Sequence, residues 1–253
     1  MKIKNLTITI SAIIMALATV SCSKDNTLRY NNMTMGNMVN GKFVSDQGNT
    51  FNVVEQECPG KLDTMHRAFV VCDILNSVNG SDTEYDVRLN YISNVLTKSP
   101  VAASEITDEK LLINDPMLLA DWWVSGGYVN LYVCVPIKRT DNTQHVLTFI
   151  YEDTKKEDGK YRFLIRHNAN GETLKDNETN YDMVLAYAYA SFPIASIIKE
   201  DEAQVIIEWE SYLVSNSAVH ADSKTESSST LYSKKSYEQP AISSVNPTTL
   251  NIL

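Results

Sequence analysis

The sequence has little positive charge, and this shortage excludes two classes of partner. It contains 22 Lys and Arg residues against 31 Asp and Glu residues, which gives a formal net charge of −9. Nucleic-acid binding needs clustered cations that neutralise phosphates, and electrostatic adhesion to an anionic bilayer needs the same. We therefore expect no nucleic-acid partner and no electrostatic membrane contact.

Several chemical signatures are missing as well. The chain has no Gly-x-Ser-x-Gly, no His-Glu-x-x-His, no phosphate-loop pattern and no Cys-x-x-Cys pair. After residue 22 no apolar run approaches the ~20 residues that a membrane-spanning helix needs. The sequence therefore predicts no cofactor, no metal site and no catalytic residue, in a body that lies outside the bilayer.

What is present begins with a lipoprotein-like signal segment. Residues 1–21 combine Lys2 and Lys4 with a short apolar stretch and small residues that end at Ser21. The last residues before Cys22 resemble a bacterial lipobox, although Thr19 stands where Leu is usual. The resemblance implies cleavage between Ser21 and Cys22 and acylation of Cys22. An ordinary secretory peptide with a chance cysteine is the alternative.

The residues after Cys22 suggest where the protein goes. Ser23-Lys24-Asp25-Asn26 resembles the export signal of Bacteroidetes-type surface lipoproteins. Acyl chains contribute about 0.8 kcal/mol per buried methylene, so more than one chain holds a protein durably in a bilayer. We expect a lipid-anchored protein of the outer membrane, exposed at the cell surface, with the lipid bilayer as a partner through Cys22.

The clearest structural signal lies in Asp121–Pro136. Ser125-Gly126-Gly127 separates two apolar runs, and Tyr128 begins a strict alternation of the kind that half-buried strands show. A Gly-Gly pair allows the positive φ angles of a tight turn, so a hairpin of Leu118–Ser125 and Tyr128–Lys138 is predicted. Similar runs between turn residues are 41–44, 50–54, 66–75, 85–92, 144–152, 160–167, 181–189 and 203–213. The pattern predicts an all-β sandwich or barrel.

Four stretches resemble NigD-like lipoproteins: Phe43–Phe51, Asp121–Leu131, His145 and Leu164–Asn168. The resemblance covers about residues 38–214. It implies a small N-terminal OB-like barrel followed by an antiparallel β-sandwich, and it brings no recognised catalytic residues. The family name derives from a bacteriocin-linked operon, so the resemblance links the chain to immunity by association.

Composition completes the domain prediction. Residues 22–37 are polar and are predicted to be a tether, residues 38–100 the OB-like domain, and residues 110–214 the β-sandwich. Residues 215–253 are serine-rich and bury too little apolar area to offset their ordering entropy, so they are predicted to be a disordered tail.

Three further cysteines follow the acylation site. Cys72 and Cys134 lie in apolar runs, where a free cysteine is a small buried hydrophobe. Because the expected compartment is oxidising, a Cys58–Cys72 disulfide is the alternative, but buried free thiols are favoured.

Few residues are candidates for a site. Trp122, Trp123 and Tyr128 are candidate ligand contacts that could stack on a sugar or peptide. Neighbouring residues of a strand point to opposite faces, so one tryptophan is expected in the core. Thr64, within Asp63-Thr64-Met65, resembles an acceptor for O-glycosylation.

His145 and His167 are the only histidine pair that suggests chemistry. If they meet at strand ends they could form a metal or acid–base site, which would make the protein an envelope hydrolase or metal-dependent enzyme. The favoured interpretation is that they are hydrogen-bonded residues that end strands. We therefore predict a non-enzymatic binding or interaction module, whose partner is another envelope protein, a glycan or a toxin, with a bacteriocin-immunity-like role as the alternative.

Overall fold

The computed structural model describes residues 28–140, 143–152, 160–175, 182–215 and 218–234. Fourteen strands and no α-helix occur within these ranges, which confirms the all-β prediction. The strands are β1 Leu28–Val39, β2 Lys42–Ser45, β3 Thr50–Gln56, β4 Arg67–Ser77, β5 Glu84–Asn94, β6 Leu96–Thr97, β7 Val101–Ala102, β8 Leu118–Ser125, β9 Tyr128–Lys138, β10 Val146–Tyr151, β11 Lys160–Asn168, β12 Met183–Pro193, β13 Glu202–Ser215 and β14 Ala218–Ser233. None of the described residues forms a helix with the length and apolar character that crossing a bilayer requires.

The first five strands close into a barrel in the order β1-β2-β3-β5-β4. β3 and β5 pair in parallel, and the other neighbours pair antiparallel. Because side chains alternate along a strand, every second residue enters the barrel. The barrel core consists of Phe43, Phe51, Leu62, Ala68, Val70, Cys72, Ile74, Val87 and Leu89. The predicted OB-like barrel is confirmed.

The remaining strands form a sandwich of two sheets. One has the order β14-β13-β11-β10-β7, and the other has the order β6-β12-β9-β8. Their facing sides enclose a core that includes Leu131, Val133, Phe149, Phe192 and Ile207. The predicted sandwich is confirmed, and its sheets also contain three parallel pairings. β11 and β13 are parallel because the intervening β12 lies in the other sheet, so the chain crosses before it returns.

The Gly-Gly hairpin has the predicted bounds. Gly126 and Gly127 adopt φ angles of 57° and 79°, which favour glycine. Val129 and Leu131 face the sandwich core, whereas Tyr132 lies on the outer face of the sheet. A side chain at Gly126 would clash with the carboxylate of Asp46, because the turn packs closely against the barrel.

Two segments predicted to lack structure contain strands. Within the predicted tether, residues 28–37 belong to β1, which pairs with β2 and β4. Within the predicted tail, Ala218–Ser233 forms β14, which pairs with β13 along most of its length. Backbone hydrogen bonds and the buried ring of Tyr232 hold β14, and these need no apolar run in the sequence. The other described residues of these segments are Ser215, which ends β13, and Lys234; the rest of both segments lies outside the described residues.

The domain boundary also differs from the prediction. β6 and β7 pair with sandwich strands, so the sandwich begins at Leu96 and not at residue 110. The barrel ends with β5 at Asn94. This boundary could not be predicted from the sequence, because β6 and β7 are only two residues long and leave no periodic pattern.

The cysteines of the described chain are free thiols. Cys58, Cys72 and Cys134 form no disulfide, as favoured from the sequence. Burial, together with the nearby Asp73 carboxylate, raises the pKa of Cys72 to about 11. The Cys72 thiol therefore stays protonated and unreactive at neutral pH.

Candidate functional site

Arg67 joins the barrel to the sandwich. Its guanidinium donates to the two carboxylate oxygens of Asp46 at 2.9 and 2.7 Å, to Asn130 Oδ1 at 2.9 Å and to Ser191 Oγ at 2.9 Å. It also lies 4.0 Å above the ring centre of Tyr128. Arg67 and Asp46 belong to the barrel, whereas the other three belong to β9 and β12. A buried charge needs such partners, so this network fixes how the barrel lies on the sandwich.

An apolar cluster completes this interface. Barrel residues on the outer wall meet residues on the outer face of the four-stranded sheet. The cluster contains Met35, Phe69 and Val95, with Val71, Trp123 and Tyr189 packed against them. The barrel therefore covers one part of the outer face of β12, β9 and β8.

From this cluster a row of five aromatic rings extends to the surface on both sides. Phe69 stacks on Tyr189 with ring centres 4.3 Å apart, Tyr189 on Tyr132 at 4.6 Å, and Tyr132 on Tyr187 at 5.3 Å. Tyr91 meets Phe69 edge-on at 6.2 Å. We call Tyr91, Phe69, Tyr189, Tyr132 and Tyr187 the aromatic ladder. It runs from the barrel onto the sandwich, so its geometry depends on the interface that Arg67 holds.

Both ends of the aromatic ladder are open to solvent. Tyr91 is 48% exposed at the barrel end, and Tyr187 is 55% exposed at the sandwich end. Leu185, two residues before Tyr187 on β12, is 42% exposed. Large aromatic side chains with open edges and hydroxyl groups are enriched in binding interfaces. The aromatic ladder is the candidate functional site.

An acidic residue lies beside the aromatic ladder. Asp121 on β8 pairs in register with Tyr132 on β9, which pairs in turn with Tyr189 on β12. Burial, the neighbouring hydroxyls of Tyr132 and Tyr91, and the carboxylate of Asp121 raise the pKa of Tyr189 to about 12. The Tyr189 hydroxyl is therefore protonated under physiological conditions and carries no charge.

The sequence-predicted contact residues have different positions. Tyr128 is 3% exposed beneath Arg67, so the prediction that it contacts a ligand is wrong. Trp122 and Trp123 point to opposite sides of β8, as expected from strand geometry. Trp122 packs on the sandwich core and donates from its indole nitrogen to Ser228 Oγ at 3.1 Å. Trp123 belongs to the apolar interface and lies next to Tyr189.

Sequence reasoning missed the aromatic ladder itself. Its residues come from four strands, and only Tyr187 and Tyr189 are close in sequence. A signal existed, because Tyr132 on β9 and Tyr187 and Tyr189 on β12 occupy alternate positions of strands whose opposite faces are apolar. Large rings on the face opposite a core indicate a covered or binding surface.

Two predicted modification sites differ in what the structure describes. Ser21 and Cys22 lie outside the described residues. Thr64 ends a short 3₁₀ turn at Leu62–Thr64 and is exposed, and its hydroxyl donates to the Lys61 carbonyl at 2.7 Å. Glycosylation of Thr64 stays a prediction.

The two histidines meet inside the sandwich. His145 Nδ1 lies 2.8 Å from His167 Nε2, and His145 Nε2 lies 3.3 Å from Glu172 Oε2. His167 Nδ1 faces the Asp115 carbonyl at 3.3 Å. The Asp115 carbonyl can only accept a hydrogen bond, so His167 Nδ1 carries the hydrogen and donates to it, and His167 Nε2 accepts a hydrogen bond from His145 Nδ1.

This histidine chain has no access for a substrate. His145 and His167 are 0% and 1% exposed, and Glu172 is 2% exposed. Glu172 and His167 bind opposite nitrogens of His145, so they do not converge on one ion, and the described residues contain no group of metal-binding side chains. Burial and the neighbouring His145 lower the pKa of His167 to about 4, so it stays neutral. The arrangement suits a structural role, as favoured from the sequence.

Comparisons with known proteins agree with this fold. Residues 99–221 match the family model of the NigD-like C-terminal beta sandwich domain. A candidate toxin-related protein from Parabacteroides distasonis is similar in structure, with 17% identity, a TM-score of 0.57, and coverage of 81% of this chain and 94% of that one. A NigD-like immunity protein from Bacteroides caccae has 17% identity, a TM-score of 0.55, and coverage of 77% and 90%.

A third structure is a candidate lipoprotein from Bacteroides fragilis, with 12% identity, a TM-score of 0.51, and coverage of 78% of this chain and 95% of that one. No curated protein matches the chain. At these identities the structural likeness establishes the fold, and the family match confirms the NigD-like resemblance that the sequence motifs indicated.

Proposed function

We propose that this chain, which carries a C-terminal domain of the NigD-like family, is a lipid-anchored binding protein of the outer membrane that contacts a protein partner at the cell surface. The aromatic ladder is the observation that carries the proposal. It offers exposed rings at both ends, it spans the barrel and the sandwich, and a buried ion pair supports it.

The stacking of the rings favours a protein over a glycan. A sugar binds aromatic side chains through an open ring face, but the ring of Tyr189 is stacked between Phe69 and Tyr132. Tyr132 is likewise stacked between Tyr189 and Tyr187. The ladder therefore offers mainly ring edges, hydroxyls and apolar neighbours such as Leu185, which is the composition of protein interfaces.

The burial of the candidate catalytic histidines supports a non-enzymatic role. The candidate catalytic pair, His145 and His167, is buried and holds no position open to a substrate. The three similar structures are described as toxin-related, immunity and lipoprotein molecules, and none is described by a reaction.

Membrane attachment rests on the sequence. The lipobox-like residues before Cys22 support acylation, and one similar structure is described as a candidate lipoprotein. Cys22→Ala removes the acylation site and should move the protein from the outer-membrane fraction to the soluble fraction of the cell envelope. Protease treatment of intact cells then tests surface exposure, since only an outward-facing protein is cut while the cells stay closed.

A bacteriocin-immunity-like role is the second candidate. It is favoured by the similar structure that is described as a NigD-like immunity protein, and it would make the partner a toxin. Cells that produce the protein should then survive a toxin that kills cells lacking it, which a general envelope-binding role does not require.

The binding proposal is tested by capture from native envelopes. Wild-type protein and the variants Tyr187→Ala and Tyr91→Ala are each purified with their cross-linked partners, beside the control Leu231→Ala. Leu231 is 64% exposed on β14, in the other sheet, so its loss removes an exposed apolar side chain outside the ladder. We expect the same captured protein from wild type and control, and much less of it from the tyrosine variants. Equal capture by all four proteins would refute the proposal.

A further inference from the structure

We infer that Asp121 and the hydroxyls of the adjoining tyrosines form a subsite that binds an arginine side chain. The inference deepens the proposed function and rests on it, because it names the group that a protein partner would insert beside the aromatic ladder. The ligand is a guanidinium cation presented on a polypeptide.

The subsite consists of Asp121, Tyr132, Tyr189 and Tyr91, and strand register places the first three together. Asp121, Tyr132 and Tyr189 are direct cross-strand neighbours on β8, β9 and β12, and they occupy the outer face of the sheet. Directly paired residues have Cβ atoms about 4.5–5.5 Å apart. Tyr91 reaches the same place from the barrel, since it meets Phe69, on which Tyr189 stacks. Tyr132, Tyr91 and the Asp121 carboxylate each act electrostatically on the Tyr189 hydroxyl, which agrees with this placement of one carboxylate among three phenols.

The carboxylate of Asp121 is available to a ligand. The residue is exposed, and its Oδ1 atom accepts a hydrogen bond from the backbone of Trp122 at 2.8 Å. No ion pair connects it to a Lys or Arg among residues 28–140, 143–152, 160–175, 182–215 and 218–234. The other oxygen is thus free to accept from a cation.

The acceptor geometry favours arginine over lysine. A guanidinium is planar and carries five donors, so it can bind a carboxylate and neighbouring hydroxyl oxygens at once. The same chain uses this chemistry internally, where Arg67 binds Asp46, lies on Tyr128 and donates to amide and hydroxyl oxygens. Asp121 offers the same kind of carboxylate at the surface, beside phenol groups, without a cation from the described chain.

A short peptide pair tests the subsite directly. The probe is the capped pentapeptide Gly-Gly-Arg-Gly-Gly, and its control carries citrulline, which keeps the shape of arginine and removes the charge. Both are titrated into the ¹⁵N-labelled mature chain while backbone chemical shifts are recorded. We expect the arginine peptide to shift the signals of Asp121, Tyr132 and Tyr189, and to bind the Asp121→Asn variant roughly two- to fivefold more weakly.

The controls make each outcome decisive. Asn at position 121 keeps the oxygen that accepts from Trp122, so the fold should persist, and Asp222→Asn on β14 removes an exposed charge elsewhere. Equal binding of the arginine and citrulline peptides, equal weakening by both Asn variants, or no shift at these positions would each overturn the subsite. If capture from envelopes needs Tyr187 while the arginine peptide fails to bind, the proposed function stands and this inference falls. If the arginine peptide binds while capture from envelopes does not depend on Tyr187, the subsite stands and the proposed function falls.

Discussion

Replacing Arg67 with methionine removes the charge that joins the barrel to the sandwich. The change keeps an unbranched side chain of similar reach but deletes the donors to Asp46, Asn130 and Ser191. Asp46 then keeps a negative charge in a site where its side chain is 2% exposed. We expect strong destabilisation, because an unpaired buried charge costs far more than a lost surface contact.

The magnitude follows from the lost bonds. The two hydrogen bonds between Arg67 and Asp46 are charged on both sides, and each such bond contributes about 1.5–3 kcal/mol. Their sum overlaps the roughly 3–5 kcal/mol that breaking a buried ion pair costs. Arg88→Met is the matched control, because Arg88 pairs with Glu55 at 2.6 Å with side chains 31% and 52% exposed. That pair is exposed to solvent, which screens it, so it should contribute little to stability.

Urea unfolding of the protein, followed by circular dichroism and tryptophan fluorescence, measures both variants. Arg67→Met should lower the free energy of unfolding by several times the loss seen with Arg88→Met. Adding Asp46→Asn to Arg67→Met removes the unpaired charge, so the double variant should lose less than the sum of the two single variants. A loss from Arg67→Met no larger than that from Arg88→Met would refute the account of the interface.

Two further perturbations test other parts of the structure. Burial holds the pKa of His167 at about 4 against an ordinary 6.5, so the unfolded chain takes up a proton before the folded chain does, and the free energy of unfolding should fall by about 3 kcal/mol as the pH drops from 6.5 to 4. Chemical denaturation at several pH values should show that this dependence on pH is smaller in His167→Gln and unchanged in His220→Gln. An unchanged dependence in His167→Gln would contradict the prediction. Gly126→Ala combines a positive φ with a clash against Asp46, whereas Gly80→Ala has a positive φ in open space. Thermal melting should therefore show the larger fall in melting temperature for Gly126→Ala. Equal falls would contradict the close contact between the turn and the barrel.

Local pattern was enough to predict the strands that bury apolar side chains. The alternation from Tyr128 and the Gly126-Gly127 pair predict the β8–β9 hairpin, because both signals are local and physical. The same logic missed β14. That strand exposes serine and threonine and depends on backbone pairing with β13, which leaves no hydrophobic period in the sequence.

The candidate site was harder to predict than the fold. Aromatic character makes Trp122, Trp123 and Tyr128 candidates in the sequence, but burial beneath Arg67 removes Tyr128 from contact with solvent. Which aromatic residues stay exposed is decided by where the barrel lies on the sandwich. That placement depends on Arg67, whose partners Asn130 on β9 and Ser191 on β12 lie more than 60 residues further along the chain.

Site-specific photo-cross-linking in intact cells tests the central claim most directly. A photoreactive phenylalanine analogue replaces Tyr187 or Tyr91 in the aromatic ladder, or Leu231 on β14 as the control. The account predicts one discrete cross-linked product, containing the same partner protein, from positions 187 and 91 and none from position 231. No product from the ladder positions, or the same product from all three, would contradict it.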